Sequence, residues 1–399
     1  PSIERLLALG VERTLDLDAV AVFLTLGFFP GEDTAFSAIR RLPAAATLTW
    51  REGRSHLRSE PPIRPPMSGS RSDAVATAAE LLRVAVERTI PDSGDYIMPI
   101  SGGRDSRNIL LELLHAGHRP LGCVTSPYYP HLWGGDGPYA AELCRRLDLP
   151  QQTLPVGRPI ADEWRKNRIT GYCADEHAWY VAIADAIDDR ASHSYDGVNG
   201  ATTFARTFHT PKIQRLSQEG RFEDLARQVG RKRRGQPRYL DLLAPSMRQE
   251  LGADRATARI VRELKRHAHE EDPYLAFRFW GRGTGELALT SSHIMSAMPA
   301  TYAPILDPDV LLFAWSVPTE HLDQHFRDEM ISHHFPEYAD VPYRPKPTPR
   351  PSRGYLRSVN RDVNRMLRRH SDGSLVDRSG LARRTALGSV SGSDWITWG

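Results

Sequence analysis

The residues of this 399-residue sequence best placed to do chemistry are Ser101, Gly102, Gly103, Asp105 and Ser106, in the run SGGRDS. The run follows the apolar stretch YIMPI (96–100) and precedes a helical pattern over 106–116, so it reads as strand, glycine turn and helix start. In a parallel sheet, ligands bind beyond the carboxyl ends of the strands, where the next helix begins. Gly102 and Gly103 carry no Cβ and let a bulky anion come close to the backbone. Free N–H groups and the helix dipole attract that anion, and Ser101 and Ser106 add hydroxyl donors. Asp105 is the odd member, because a carboxylate repels a neighbouring phosphate unless a cation lies between them. It therefore implies Mg²⁺ bridging Asp105 to phosphate oxygens. The run is neither a Walker loop, which needs Lys after the second glycine, nor GxGxxG. The alternative is a tight turn whose Ser and Asp merely cap the helix. Six specified positions in a strand–turn–helix context weigh against it.

Around this loop, strand and helix patterns alternate: PLGCVTS as strand, PYAAELCRRL as helix, QQTLPV as strand, a long helical stretch over 162–190, then SHSYDG as strand. That alternation predicts a parallel sheet with helices on both faces. Upstream, LDLDAVAVFLTLGFF has helical spacing and stops at Pro30-Gly31, and ATLTWREGRSHLR alternates as a hairpin turning at Glu52-Gly53. EPPIRPPMSGSRSD (60–73) is the clearest linker, and Asp73 is the expected cap of the amphipathic helix AVATAAELLRVAVERTI. After residue 210 the pattern is mainly helical, through FEDLARQVG, ATARIVRELKRHAHEED and YLAFRFWGRGTGELALTSSHIM. The divisions are a lead-in over 1–60, an α/β core over 73–210, a helical part over 211–350 and an Arg/Gly/Ser-rich tail over 351–399.

Composition narrows the function classes. With 40% hydrophobic and 25% charged residues and a net charge of +3, the chain reads as a globular protein with no general case for nucleic-acid binding. The basic run RKRR (231–234) reads as a solvated loop or helix end before it reads as a phosphate patch. Cys123, Cys144 and Cys173 share no metal-ligand spacing and are expected as reduced, mostly buried thiols. No targeting signal and no apolar run of membrane-spanning length is visible, so a cytoplasmic location without membrane contact is expected. His177, His193, His293, His333 and His334 form no HExxH or other metal spacing and are expected mostly at the surface or in supporting positions. No GxSxG elbow is present.

SGGRDS resembles the SGGxDS pyrophosphate loop of the N-type ATP pyrophosphatases, and the flanking chain resembles the asparagine synthetase family. LDLDAVAVFLTLGFFPGEDTAFSAIRRLPAAATLTW is similar to the segment preceding that family's synthetase domain. GDGPYAAELCRRLDLPQQTLPV is similar to the helix and strand after its second strand, and YAPILDPDVLLFAWSVPTEHL to its late segment in which LD leads into a helix. The likeness runs from about residue 15 to about residue 350. It implies an adenine nucleotide alpha hydrolase-like parallel sheet with helices on both faces, a mainly helical C-terminal half, and ATP and Mg²⁺ as cofactors. The implied reaction adenylates a carboxylate, releases pyrophosphate into the loop at 101–106, and forms an amide with ammonia or a substrate amine. Asparagine synthesis and specialised amide or ring formation, of lasso-peptide or β-lactam type, are both within that scheme.

The chain departs from the family pattern in two places. No cysteine precedes Cys123, so no N-terminal glutaminase is expected in it. Nitrogen would come from ammonia, a substrate amine or a separate glutaminase, with a precursor peptide as another partner, unless the sequence lacks its own N-terminal domain. The family's second loop, SGxGxDE, is matched by SYDGVNGATTF (194–204). Gly197 and Gly200 are in place, but Val198 stands at the position of the catalytic Glu or Tyr and Ala201 at that of the metal-binding Asp. Asp196 is the candidate replacement ligand, and equally a turn-forming Asp before glycine. YRPKPTPRP resembles the family's late R-x-K segment, which makes Lys346, with Arg344, the catalytic candidate that neutralises charge on the reacting phosphate or oxyanion. A solvated Pro-rich loop is the other reading of that segment. Asp136 is expected to cap its helix, with a place near the nucleotide as the alternative, and Asp307 to cap the helix opened by Pro308. Two functions follow: an AMP-forming amide ligase, or a nucleotide-binding partner protein that keeps the loop and has lost the chemistry.

Overall fold

The computed structural model describes residues 2–43, 45–59, 67–127, 135–155, 159–206, 208–230, 243–295, 300–345 and a few positions between 361 and 379. The basic run at 231–234, part of the linker at 60–66 and nearly all of the tail lie outside the described residues.

The architecture is mixed α/β, with small parallel sheets among helices. An antiparallel hairpin comes first: β1 (Ala46–Arg51) pairs with β2 (Arg54–Ser59) around Glu52 and Gly53, at φ 52° and 77°. Positive φ at both central residues gives the turn that suits a two-residue hairpin. Helix Arg71–Arg88 begins earlier than its apolar pattern predicts. Ser70 is the cap, and Asp73 returns its carboxylate to the Ser70 N–H, closing a capping box.

β3 (Ile97–Pro99), β4 (Gly122–Thr125) and β5 (Gln151–Thr153) form a parallel sheet in the order β3-β4-β5, and β6 (His193–Tyr195) pairs in parallel with β7 (Ala300–Tyr302). A parallel bridge from Tyr96 to His193, with Ser194 Oγ donating to the Ile97 carbonyl at 3.0 Å, joins the two. The strands therefore run β5-β4-β3-β6-β7. Strand alternation sends neighbouring side chains to opposite faces. Met98 and Cys123 enter the core built with helices Arg71–Arg88, Asp105–His115 and Gly137–Arg146, whereas Ile97 and Val124 enter the one built on helix Trp179–Ile187. Helices thus cover both faces, as the alternation predicts. The chain leaves β3 toward β4 on one side and returns as β6 on the other, so the order reverses between β3 and β6. In open α/β sheets such a switch point opens a crevice at the carboxyl ends of the strands.

The stretch expected as one long helix over 162–190 is two, Pro159–Ile169 and Trp179–Ile187, because Gly171, Tyr172 and His177 take positive φ (61°, 63° and 76°). The pattern at 274–295 is helical but wide-turned, with π-helical Phe279–Leu287 and Thr290–Ile294. Its glycines admit the lead-in segment. A Cβ on Gly281 would press on Phe28, and the Arg41 guanidinium lies where a Cβ on Gly285 would be. Helix Leu17–Leu26 packs Ala21 and Val22 into a core shared with helices Pro211–Gln218, Phe222–Val229 and Ala253–Arg266. Cys123 and Cys144 are buried, Cys173 is half-buried, and all three are free thiols. Among the described residues no helix is long and apolar enough to cross a membrane.

His193, one of the histidines expected mostly at the surface or in supporting positions, is buried at the start of β6, stacked with Tyr96 and His118 and edge-on to Tyr302. The Nε2 atoms of His118 and His193 lie 3.2 Å apart. Burial lowers both pKa values below the ordinary 6.5, and His118 lowers that of His193 further. The unfolded chain therefore binds protons more readily than the fold below pH 6.5. The pair's contribution is intact above that value and lost as pH falls through the depressed folded values. Glu286, whose carboxyl burial pushes up to about 7, titrates in the opposite sense. The test is a difference: denaturant midpoints at pH 7.5 and 5.5 should show His118→Gln losing less stability on acidification than the wild type.

Candidate functional site

Two loops meet at the switch point, 101–106 after β3 and 196–200 after β6. Their contact is set by glycines. A Cβ on Gly197 would lie 2.9 Å from both Asp105 Cβ and Ser106 N, and one on Gly200 would overlap the Asp105 carboxylate. Only residues without a Cβ allow this approach. Gly102 is confined in the same way, since a Cβ there would stand 3.0 Å from the Cβ atoms of Tyr139 and Arg344.

The first loop is ordered by its own hydroxyls. Ser106 Oγ accepts from the Ser101 N–H and lies 3.2 Å from Ser101 Oγ, and Ser101 Oγ accepts from the Gly103 N–H at 3.1 Å. The Gly102 N–H donates to Asp136 Oδ1 at 2.8 Å, and Arg344 Nη1 donates to Asp136 Oδ2 at 3.0 Å. Asp136 therefore braces the loop and makes no side-chain cap for helix Gly137–Arg146, contrary to expectation. Burial raises its pKa, against the opposing pull of Arg344 and the Gly102 N–H. Asp307 does cap as expected, accepting from the Asp309 N–H with Pro308 in the first turn.

Asp105 opens helix Asp105–His115, and Arg327 Nη1 donates to both of its oxygens, at 2.8 and 2.9 Å. The preceding Arg104 donates through Nε and Nη2 to the two oxygens of Asp328, the latter bond 2.8 Å long. Arg104-Asp105 and Arg327-Asp328 thus face each other in crossed pairs. The segment 341–344 lies across the same helix start. Arg107, fully buried, donates to the carbonyls of Val341 and Pro342, Tyr343 packs under the guanidinium groups of Arg104 and Arg107, and the Arg344 N–H donates to the Gly102 carbonyl at 2.9 Å. Arg344 is thereby brought to the site; Lys346 lies outside the described residues.

Asp196 is near Asp105 but turned to other partners. Its oxygens accept from Tyr180 Oη at 3.0 Å and Ser291 Oγ at 2.6 Å. Burial raises its pKa, the charge of Asp105 adds to the rise, and the Val198 N–H opposes it. That is a braced turn, the second of the two expectations. Val198 and Ala201 supply no carboxylate, and no group of three metal-type donors occurs among the described residues. Mg²⁺ is commonly held by one or two carboxylates together with substrate phosphates. Asp105, partly exposed and held among the described residues by Arg327 alone, fits such a minimal site where that pair parts; Asp196 is buried and holds the Tyr180 and Ser291 hydroxyls on its two oxygens.

Sequence reasoning missed Arg327, Asp328 and the brace at Asp136. The only signal for the first two was a second Arg-Asp pair on a helix, which has no meaning until the first is placed against it. Compared with known proteins, the chain matches no protein-family model, and no curated protein matches it.

The loop contact makes a prediction. Gly200→Ala, and less severely Gly197→Ala, should force Asp105 off its position, with far-UV circular dichroism preserved and binding of inorganic pyrophosphate in the presence of Mg²⁺ reduced at least roughly tenfold by calorimetry, the scale of one lost charged contact. Undiminished binding in Gly200→Ala would place the anion site elsewhere.

Proposed function

We propose that the chain is a cytoplasmic, ATP-dependent, AMP-forming amide ligase of asparagine synthetase type, on a sheet of the adenine nucleotide alpha hydrolase kind. The observation that carries this reading is the meeting of the SGGRDS loop with the glycines of the second loop at the switch point of a parallel sheet. The helix start beside Ser101 and Ser106 suits an anion, and Asp105 suits a cation shared with it.

In this scheme a carboxylate oxygen of the substrate attacks the α-phosphorus of ATP, and the bond from that phosphorus to the pyrophosphate oxygen breaks. Ammonia or a substrate amine then attacks the acyl carbon, AMP leaves, and the nitrogen loses its proton. Bound with the nucleotide, Mg²⁺ would offset charge on the departing pyrophosphate. The chain's own part is positional and electrostatic. Ser101 and Ser106 offer hydroxyls to the pyrophosphate. Gly103 lets it approach the backbone, while Gly102 and Gly197 let Arg344 and the second loop close on the cradle from either side. Arg344, held on Asp136, supplies positive charge beside the loop, and Lys346 is the second candidate for that role. A separate glutaminase or a precursor peptide would be the partner.

Two observations favour the second reading, a binding protein without turnover: Val198 and Ala201 replace the expected side chains, and both Asp196 oxygens are engaged. One assay separates them. Exchange of labelled pyrophosphate into ATP, run against a panel of carboxylic acids, should appear with at least one acid and fall by two orders of magnitude or more in Asp105→Ala, since that change removes the metal-side charge. ATP binding without exchange against any acid would favour the binding protein.

A further inference from the structure

Arg327 has no part in the scheme above, yet it touches the residue on which the scheme turns. Its contact with Asp105 is unusual for a guanidinium. Nη1 alone spans both carboxylate oxygens, at 2.8 and 2.9 Å, while Nε is buried without a hydrogen-bond partner. The neighbouring Arg104 does the opposite, setting Nε and Nη2 on the two oxygens of Asp328 and stacking on Tyr343. A guanidinium carries a planar fork of donors that matches two oxygens of one anion. Arg104 has spent that fork, and Arg327 has not.

Charge explains the arrangement. Asp105 beside a phosphate would repel it, and Arg327 cancels that charge while no phosphate is present. A cation on Asp105 removes the need for Arg327 there and leaves a largely buried guanidinium, 12% exposed, with an open fork and no counter-charge. Phosphate oxygens bound at the loop, on the far side of that cation, would be the acceptors for the freed fork. We infer that Arg327 is the phosphate-recognition residue of this site, passing from Asp105 to the pyrophosphate group when a divalent cation takes over the carboxylate. This rests on the nucleotide-binding reading. By linkage, cation and pyrophosphate then bind with positive cooperativity, each relieving the other's cost of parting the ion pair.

The test uses the full chain, Mn²⁺ followed by electron paramagnetic resonance, and inorganic pyrophosphate followed by calorimetry. Arg327→Met frees Asp105 and should strengthen binding of Mn²⁺ alone several-fold. It should weaken binding of pyrophosphate with Mn²⁺ roughly tenfold to a hundredfold, the range for a lost charged hydrogen bond. A merely structural arginine would weaken both. Arg327→Lys keeps the charge without the fork, so Mn²⁺ binding should stay near the wild type while pyrophosphate binding still falls. Asp105→Asn should bind pyrophosphate more tightly than the wild type when no metal is added, because Arg327 is released. If the wild type binds pyrophosphate with Mn²⁺ and both Arg327 variants match it, this inference fails alone. If the wild type binds no pyrophosphate under any condition, the nucleotide-binding reading fails and takes this with it.

Discussion

The crossed pairing of Arg104-Asp105 with Arg327-Asp328 is the constraint on which the rest of the site depends. Two adjacent and opposite charges at a helix start cannot both be satisfied within their own loop. Each finds its partner on helix Gln324–His334, which is itself tied back through Asp323 and Glu329 to Arg71. Pairs this shielded contribute little net stability against an apolar alternative, but removing one member leaves a partly buried charge uncompensated, at a cost on the order of 3–5 kcal/mol. Their effect is registry. The pairs fix the late helix against the loop, and the chain beyond it lays the segment 341–344 across the same helix start.

Close backbone approach is the second constraint, and it is tied to the first. Asp105 can face Arg327 only because Gly197 and Gly200 leave no Cβ behind the carboxylate. Asn199, between them, sits in the left-handed region at φ 69° and donates from its side chain to the Gly283 carbonyl, so the second loop is held by the π-helical stretch. That stretch in turn receives Phe28 and Arg41 from the lead-in segment against its glycines. The N-terminal segment is thus joined to the site through side chains set against the backbone of the π-helical stretch, Phe28 on Gly281 and Arg41 on Gly285 and the Trp280 carbonyl.

Much of this was legible beforehand, for local reasons. The hairpin at Glu52-Gly53, the helix of 105–115 and the strand–helix alternation follow from turn chemistry and apolar period, which operate over a few residues. β7 was not legible, because three half-buried residues carry no period. The break at 171–177 was not, because Tyr172 and His177 adopt conformations their types seldom choose. Asp136 was misassigned because an aspartate before a helix start suits a cap, and only the arrival of Gly102 and Arg344 shows where its oxygens are used.

By itself, then, the sequence determined the loop, its hydroxyls, its glycine freedom and the charge at its centre, since SGGRDS encodes these within six residues. It also determined that the second loop carries Val198 and Ala201, which bring no carboxylate to it. Only the tertiary structure decided which groups those charges meet. Asp105 is paired with a residue 222 positions away, Gly102 with one 34 positions away, and Asp196 with Ser291, 95 positions away. The physical reason is that a charged side chain takes whatever counter-charge or donor the packed chain brings within hydrogen-bond reach, and that neighbour is chosen by the fold and not by distance along the sequence.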